Sequence, residues 1–459
     1  MLTNALLRSL DTPGPRYTSY PTADRFNERF GAVDYEQALA TRAAGTAKGQ
    51  RSALSMYVHL PFCESVCYFC ACNKIITRHH ERAAEYLQAL QVEVDLHRTA
   101  LGPDQQIAQL HLGGGSPTFL SDDELSGLLQ MIRTRFALEP AAEVAIEIDP
   151  RTVDRERLQR LVAAGFNRIS FGVQDVDPAV QVAVHRVQPI ERVQALLEKA
   201  RKLGIKSVNV DLIYGLPKQT PESFACTIQA VSSLRPDRIA MYGYAHLPTR
   251  FKPQRRIHSA DLPDTGQRVR MLGQAIEALT AAGYVHVGMD HFALPEDELA
   301  IAKAQGKLHR NFQGYSTRPE HDLIAIGVSA IGRVGATYSQ NCKDLESYYA
   351  AMRGGRFAVV KGLALTPDDL ARRSIIMALM CQGQVDFDTV KVQHRLHAER
   401  DFAPEMHALQ TMAEQGLVQF DSARLKLTEL GWYFVRSVAG VFDRYLQNNA
   451  SREQFSRIA

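Results

Sequence analysis

From residue 54 to about residue 290 the chain alternates short β-branched or aromatic runs with amphipathic stretches of helical period. The runs are LSMYVH (54–59), IAQLHL (107–112), EVAIEI (143–148), NRISFG (167–172), KSVNVDLIYG (206–215) and RIAMYGY (238–244). Between them lie AAEYLQALQVEVDLH, DDELSGLLQMIRTRF and RERLQRLVAAG, and several such stretches stop at a glycine, as at Gly165 and Gly204, the usual left-handed helix cap. A strand, a helix and the next strand at this spacing make a βα unit, and consecutive units build a parallel sheet. Six units predict an α/β chain with an incomplete parallel (βα)6 barrel rather than a closed eightfold one. YVHVGMDHFA (284–293) is read as one more candidate strand.

Polar and glycine-rich segments follow each run: HLPFCESVCYFC, GGGSPT, DPR, GVQD, YGLPKQ and AHLP. In a parallel βα barrel, the loops at the C-terminal ends of the strands converge on one face, and active sites form there. The chemistry of this chain is therefore expected on a single rim.

Three regions are expected. Residues 1–50, with RYTSYPTADRF, read as an arm laid over the barrel; residues 51–360 as the barrel and its extension, irregular from 291. Residues 361–459 read as a mostly helical C-terminal domain with a strand pair, LVQF and RLKLT, and a helix carrying Trp432, a small α+β unit resembling a winged helix. Fifty-three Lys and Arg against 50 Asp and Glu leave no basic stripe for nucleic acid, so a packing or lid role is expected of that domain. No apolar window of about 18 residues is present to span a membrane. The opening MLTNALLRSL carries Arg8, is followed by Asp11 and lacks a cleavage-site pattern, so a cytoplasmic protein is expected. Structural disulfides are rare in that compartment, and the seven cysteines read as thiols or metal ligands. Cys226, Cys342 and Cys381 read as core residues.

The other four fall together. Cys63-x3-Cys67-x2-Cys70 occupies the loop after the first strand, with Cys72 just beyond. Three thiolates can hold three irons of a [4Fe–4S] cluster and leave the fourth iron without a cysteine. Structural zinc is the alternative, but it needs Cys72 as fourth ligand across the tight Cys70–Ala71–Cys72 gap, and no second knuckle is present. The cluster is the favoured reading.

This spacing, with Phe69 one residue before the last cysteine, resembles the signature of the radical S-adenosylmethionine (SAM) enzymes, in which the methionyl amine and carboxylate of SAM chelate the open iron. Gly113–Gly115 matches the segment that meets the amine of SAM, and Glu147 is a strand-end carboxylate placed to accept from a ribose diol. Longer strings narrow the match: RYTSYPTA (16–23), YVHLPFCESVCYFCACNK (57–74), HLGGGSPT (111–118), GFNRISFGVQD (165–175), NVDLIYGLPKQT (209–220), YAHLPT (244–249), GMDHFA (288–293) and HRNFQGYST (309–317). Together they resemble the oxygen-independent coproporphyrinogen III oxidases along the whole chain.

That resemblance implies oxidative decarboxylation of two propionates of coproporphyrinogen III in haem synthesis, with two SAM bound side by side. It implies a donor such as flavodoxin or ferredoxin and an electron acceptor it does not name, while nothing in the sequence demands more than a monomer. Cys63, Cys67 and Cys70 would ligate the cluster. Tyr57, Gly114, Glu147 and Ile331 would contact the cluster-bound SAM, with His59 nearby. Phe69, Gly115, Ser116, Gln174, Arg186, Asp211 and Ala245 would hold the second; Ser116 replaces the commoner threonine and keeps its hydroxyl. Cys72 would lie outside the clamp, either as a small buried thiol or as a participant near the radical. Arg16, Arg310 and Arg318 are candidates for the substrate carboxylates, since guanidinium forks pair with them bidentately, and surface salt bridging is the equal alternative for each. A haem-binding chaperone of the same superfamily is the alternative; the arm, Cys72 and the HRNFQGY segment are expected in the oxidase and not in that relative.

Overall fold

The computed structural model describes residues 14–49, 52–318 and 321–446; the opening MLTNALLRSL lies outside the described residues. The six apolar runs are parallel neighbours in a single sheet: β1 (Leu54–Leu60), β2 (Gln106–Gly114), β3 (Ala137–Ile148), β4 (Arg168–Gln174), β5 (Ser207–Tyr214) and β6 (Arg238–Gly243). In register, Tyr57 lies beside His111, Glu147 beside Ser170, and Gly172 beside Asp211. Neighbouring strand ends thus carry the polar residues to one level. β1 is buried along nearly its whole length, as a strand covered on both faces must be.

The crossover helices are closed by their own sequence signals. Ser121 accepts from the Glu124 backbone N–H at the start of α2 (Asp122–Arg135), and the Glu124 carboxylate returns to the Ser121 N–H. Arg155–Ala164 stops at Gly165, whose φ of 110° lies where only glycine sits without strain. The preceding crossover, α1 (Arg82–Leu101), buries Tyr86, Leu90 and Val94 against the sheet.

Two expectations are corrected at the ends of the sheet. The run 284–293 is not a parallel strand. It breaks into an antiparallel pair, β7 (Val285–Gly288) and β8 (His291–Ala293), around Met289 at φ 49°, and β8 runs antiparallel to β6. The region after 291 is not irregular either. Its five-residue segment β9 (Asp322–Ile326) is the seventh parallel strand, added on the far side of β1. Three antiparallel strands, Ile331–Val334, Thr337–Asn341 and Val359–Ala364, extend the sheet to twelve.

The N-terminal region is more than an arm. Ala32–Ala47 is a helix whose Tyr35 hydroxyl meets His97 Nε2 of α1 at 2.9 Å. Before it, Tyr17 and Tyr20 are fully buried, and Tyr17 donates to Asp443 at 3.0 Å. Arg436 donates to the Pro15 carbonyl and Arg25 to that of Tyr445, so residues 14–25 are sewn to the C-terminal helices.

The C-terminal unit combines Pro367–Gln382 and shorter helices with a three-stranded antiparallel sheet. Gly383, at φ 66°, ends the long helix against the Trp432 ring, which a Cβ there would strike. Cys342 and Cys381 are buried as expected, whereas Cys226 is exposed on the outer face of Pro221–Ser233. No described helix is long and apolar enough to cross a membrane.

Candidate active site

The C-terminal ends of β1 to β6 open into a cavity of about 510 Å³. The loop after β1 brings Cys63, Cys67, Phe69, Cys70 and Cys72 to its wall; the loop after β2 brings Gly114, Gly115 and Ser116. β3 supplies Glu147, β4 Gln174, the following turn Arg186, and β5 Asp211. Twelve sequence-predicted residues thus meet in one space.

The cysteine turn rests on a small apolar cluster of Val180, Val184, Leu216, Tyr244 and Ile257, against which Tyr68 and Phe69 pack. Its backbone is pinned by Tyr68 N–H donating to the Val184 carbonyl at 3.0 Å. Arg186 Nη1 lies 3.4 Å from Cys67 Sγ and Arg151 Nη2 3.7 Å, so two guanidiniums face the position where a thiolate would carry charge. Asp149 balances them, at 3.0 Å from Arg186 and 2.7 Å from Arg151. Burial opposes ionisation of Asp149, but Arg186 and Arg151 outweigh it and hold the carboxyl below its usual range. Cys63 is pushed up to about 12 by burial and by the neighbouring Cys70 and Cys67 thiols. A hydrogen bond from Cys72 draws Cys70 down to about 6 against the effect of burial, with Lys74 assisting, and Cys72 rises correspondingly.

The glycine run is there because nothing larger fits. A Cβ on Gly115 would stand 2.7 Å from the Pro61 and Phe62 carbonyls, and one on Gly114, at φ 118°, 2.6 Å from the His59 ring. The Gly114 N–H donates to Glu147 Oε2 at 3.2 Å, and His111 Nε2 lies 3.1 Å from Oε1. Burial opposes ionisation of Glu147, yet the His111 and Gly114 contacts keep it ionised below the usual glutamate range. Its side chain is deep beneath the rim but 44% exposed, because it faces the open cavity. Asp211 accepts from Ser170 and Asn209, both at 2.9 Å, and burial pushes it up to about 6. Gln174 adopts φ 71°, a left-handed conformation costly for a residue with a side chain and common where a site dictates geometry.

Four predicted residues stand behind the wall. Tyr57 stacks on His111 at 5.8 Å and meets His59 Nδ1 at 3.1 Å; His59 Nε2 is taken up by the Asn73 carbonyl at 2.9 Å. Ile331 starts a strand of the extended sheet, and the Ala245 carbonyl accepts from Gln254 at 3.2 Å. Arg16, Arg310 and Arg318 do not line the cavity. Arg16 pairs with Asp290 over the Tyr242 ring, Arg310 donates to the Arg16 carbonyl, and Arg318 to that of Ala141. The arginines at the cavity are Arg186 and Arg151. Asp149, Arg151 and Tyr242 were missed by sequence reasoning, although the DPR segment after β3 had marked the loop that carries the first two.

The donor set suits an iron–sulfur cluster with SAM: three thiols on one turn, a backbone cradle closed to side chains, and a carboxylate beside it.

Residues 57–231 match the Radical SAM superfamily and residues 365–434 the HemN C-terminal domain. Oxygen-independent coproporphyrinogen III oxidases from Salmonella typhimurium and Escherichia coli are each 46% identical over 454 residues, covering 99% of this chain and 98% of theirs. The same enzyme of Pseudomonas aeruginosa is 46% identical over 456 residues, with the same coverage. A solved structure of coproporphyrinogen III oxidase (HemN) from Escherichia coli, a radical SAM enzyme, superposes with a TM-score of 0.91 at 44% identity, over 97% of this chain and 99% of that one.

Proposed function

Because the chain belongs to the radical SAM superfamily and, within it, to the oxygen-independent coproporphyrinogen III oxidases, we propose that it converts two propionates of coproporphyrinogen III to vinyl groups, giving protoporphyrinogen IX. The observation that carries this reading is the convergence of Cys63, Cys67, Cys70, Gly114 and Glu147 from three successive strand ends on one cavity. A [4Fe–4S] cluster with one iron free of cysteine, together with two SAM, would supply the 5′-deoxyadenosyl radicals that take a β-hydrogen from each propionate, after which CO2 and one electron leave.

The chain's own part is binding, orientation and exclusion of water. Cys63, Cys67 and Cys70 would hold the cluster. The Arg186 and Arg151 guanidiniums offset the negative charge of Cys67 and are themselves fixed by Asp149. Glu147, kept ionised, would accept from the ribose hydroxyls of the first SAM, and the Gly113–Gly115 main chain would meet its methionyl end. Tyr57 and Ile331 act from behind, Tyr57 by stacking on the His111 that holds Glu147. Phe69, Gly115, Ser116, Gln174, Arg186 and Asp211 would hold the second SAM, with Ala245 behind them. Cys72 stays outside the clamp as a thiol at the cavity wall. The apolar cluster beneath Tyr68 and Phe69 closes that side of the rim to water. Residues 1–50, 51–360 and 361–459 serve as arm, barrel with its extension and C-terminal domain; within the described residues the last packs on the arm.

Anaerobic incubation of the iron-loaded protein with SAM, dithionite and coproporphyrinogen III tests the reading. It should yield protoporphyrinogen, CO2 and 5′-deoxyadenosine; formation of no 5′-deoxyadenosine rejects it.

A further inference from the structure

Tyr68 is the one residue of the Cys67–Cys70 turn that does not line the cavity. Its ring is clasped instead on the outside. The His185 imidazole lies parallel at 5.1 Å, and the Arg256 guanidinium sits 5.1 Å from the ring centroid. Arg256 belongs to RFKPQRRIH (250–258), a segment bolted to the same turn by Gln254. That side chain is 1% exposed, and its Nε2 donates to the Phe69 carbonyl at 2.9 Å. The segment therefore lies directly on the outer side of the cysteine turn.

Its charges are unbalanced. Arg250, Lys252, Arg255 and Arg256 are all exposed, and RFKPQRRIH contains no Asp or Glu. Among the described residues none of the four forms an ion pair; Arg255 reaches only the Pro248 carbonyl and Arg256 the Tyr68 hydroxyl. Elsewhere the exposed Arg160 and the partly buried Arg157 are answered by Asp122 and the partly buried Arg135 by Asp95, whereas exposed Arg133 and Arg201 reach only backbone carbonyls; what sets the Arg250–Arg256 cations apart is their place on the cysteine turn. The whole chain carries a net charge of only +3, so four unanswered cations within seven residues are a local feature. Exposed unpaired charge adds little to folding, but it attracts an oppositely charged surface over a Debye length of about 8 Å at physiological salt and raises association rates.

We propose that the Arg250–Arg256 face, laid over Tyr68, docks an acidic flavodoxin-type protein that delivers single electrons to the cluster through the Cys67–Cys70 turn. This rests on the cluster reading above. The reduced donor loses one electron, the oxidised cluster gains it, and no bond forms and no proton moves between the two proteins.

The test uses an acidic flavodoxin with the wild-type chain and the pair Lys252→Glu with Arg255→Glu. Kd for flavodoxin, measured by titration calorimetry on iron-loaded and iron-free protein, should rise about 10-fold or more, and its dependence on salt should flatten. Flavodoxin-driven 5′-deoxyadenosine formation at low flavodoxin should fall by a similar factor, while the dithionite-driven rate stays unchanged. Lys252→Gln with Arg255→Gln should lie between, and it serves if the glutamate pair fails to fold. An unchanged Kd and salt dependence overturns the proposal. So does an equal loss with dithionite, which would assign these charges to the anionic substrate. Absence of 5′-deoxyadenosine from wild type with dithionite would reject the catalytic reading instead, and the binding titration alone would then decide the docking face.

Discussion

The two ends of the barrel are built from similar residue types to opposite purposes. At the C-terminal ends of the strands, thiols, glycine backbone and the Glu147 carboxylate face an open cavity of about 510 Å³. Toward the N-terminal ends a second, smaller chamber of about 150 Å³ shares Glu147, Ser170, Asp211 and Tyr242 with the first. Its charges are largely consumed internally. Arg168 pairs with Glu143 and Glu298, and Arg238 with Asp297, which also accepts from Ser207 at 2.8 Å and from the Leu299 N–H at 2.7 Å. The hairpin His309–Asn311 and Gly314–Ser316 closes this end, with Ser316 accepting from Gln109 at 3.0 Å. One end spends polar groups on a ligand, the other on holding strands together. This is the division expected of a parallel βα barrel.

That contrast breaks most visibly at Asp297. Asp297→Ala strands the partly buried Arg238 guanidinium, and the chain should lose about 3–5 kcal/mol of stability in urea unfolding while its affinity for SAM barely moves. Glu147→Gln should do the reverse. Its amide oxygen can still accept from the Gly114 N–H, but it no longer offers a charged acceptor to the ribose hydroxyls, a loss of about 1.5–3 kcal/mol in binding. The Kd for SAM should therefore rise about 10- to 100-fold, with unfolding altered by less than about 1 kcal/mol. A large stability loss at Glu147 would erase the distinction between the ends.

A smaller effect sharpens the boundary where the two cavities meet. Burial raises the Asp211 carboxyl to about 6, above its unfolded value, so the folded chain holds that proton more tightly than the unfolded one. The stability this contributes is complete below about pH 4 and is lost as pH rises through about 6. Asp211→Asn should flatten that part of the stability–pH profile and stabilise the chain at pH 8 by on the order of 1–2 kcal/mol. An unchanged slope would mean that Asp211 is solvated like a surface carboxylate.

What could be read from the sequence divides along the same line. The cysteine turn, the glycine run and all six β1–β6 strands are local signals, fixed by spacing or by an apolar-rich run, and each strand keeps its expected bounds to within about two residues except β3, which starts earlier, at Ala137. Asp322–Ile326 escaped because five apolar-biased residues far along the chain give no sign that they pair with β1. The run 284–293 misled because hydrophobicity records burial and not direction; the reversal at Met289 is a backbone event inside an apolar stretch. Arg186 was reached only through the family resemblance, and Arg151 not at all. Nothing local ties either to Cys67, which they meet from loops 84 and 119 residues away. Arg16 reads from the sequence equally as a substrate fork or as half of a salt bridge, because basicity does not name its partner; in the fold it pairs with Asp290.

The central claim is that three cysteines, and not four, form the clamp at the rim. Iron per chain in anaerobically reconstituted Cys70→Ser and Cys72→Ser measures it directly. Serine is near-isosteric but far less acidic than a thiol and does not readily supply the anionic sulfur ligand. Cys70→Ser should lose the cluster iron, as should Cys63→Ser and Cys67→Ser. Cys72→Ser should keep the wild-type iron content and its broad iron–sulfur absorption while decarboxylation falls. If Cys72→Ser loses iron as completely as Cys70→Ser, the cage has four cysteines, and no iron is left open for SAM.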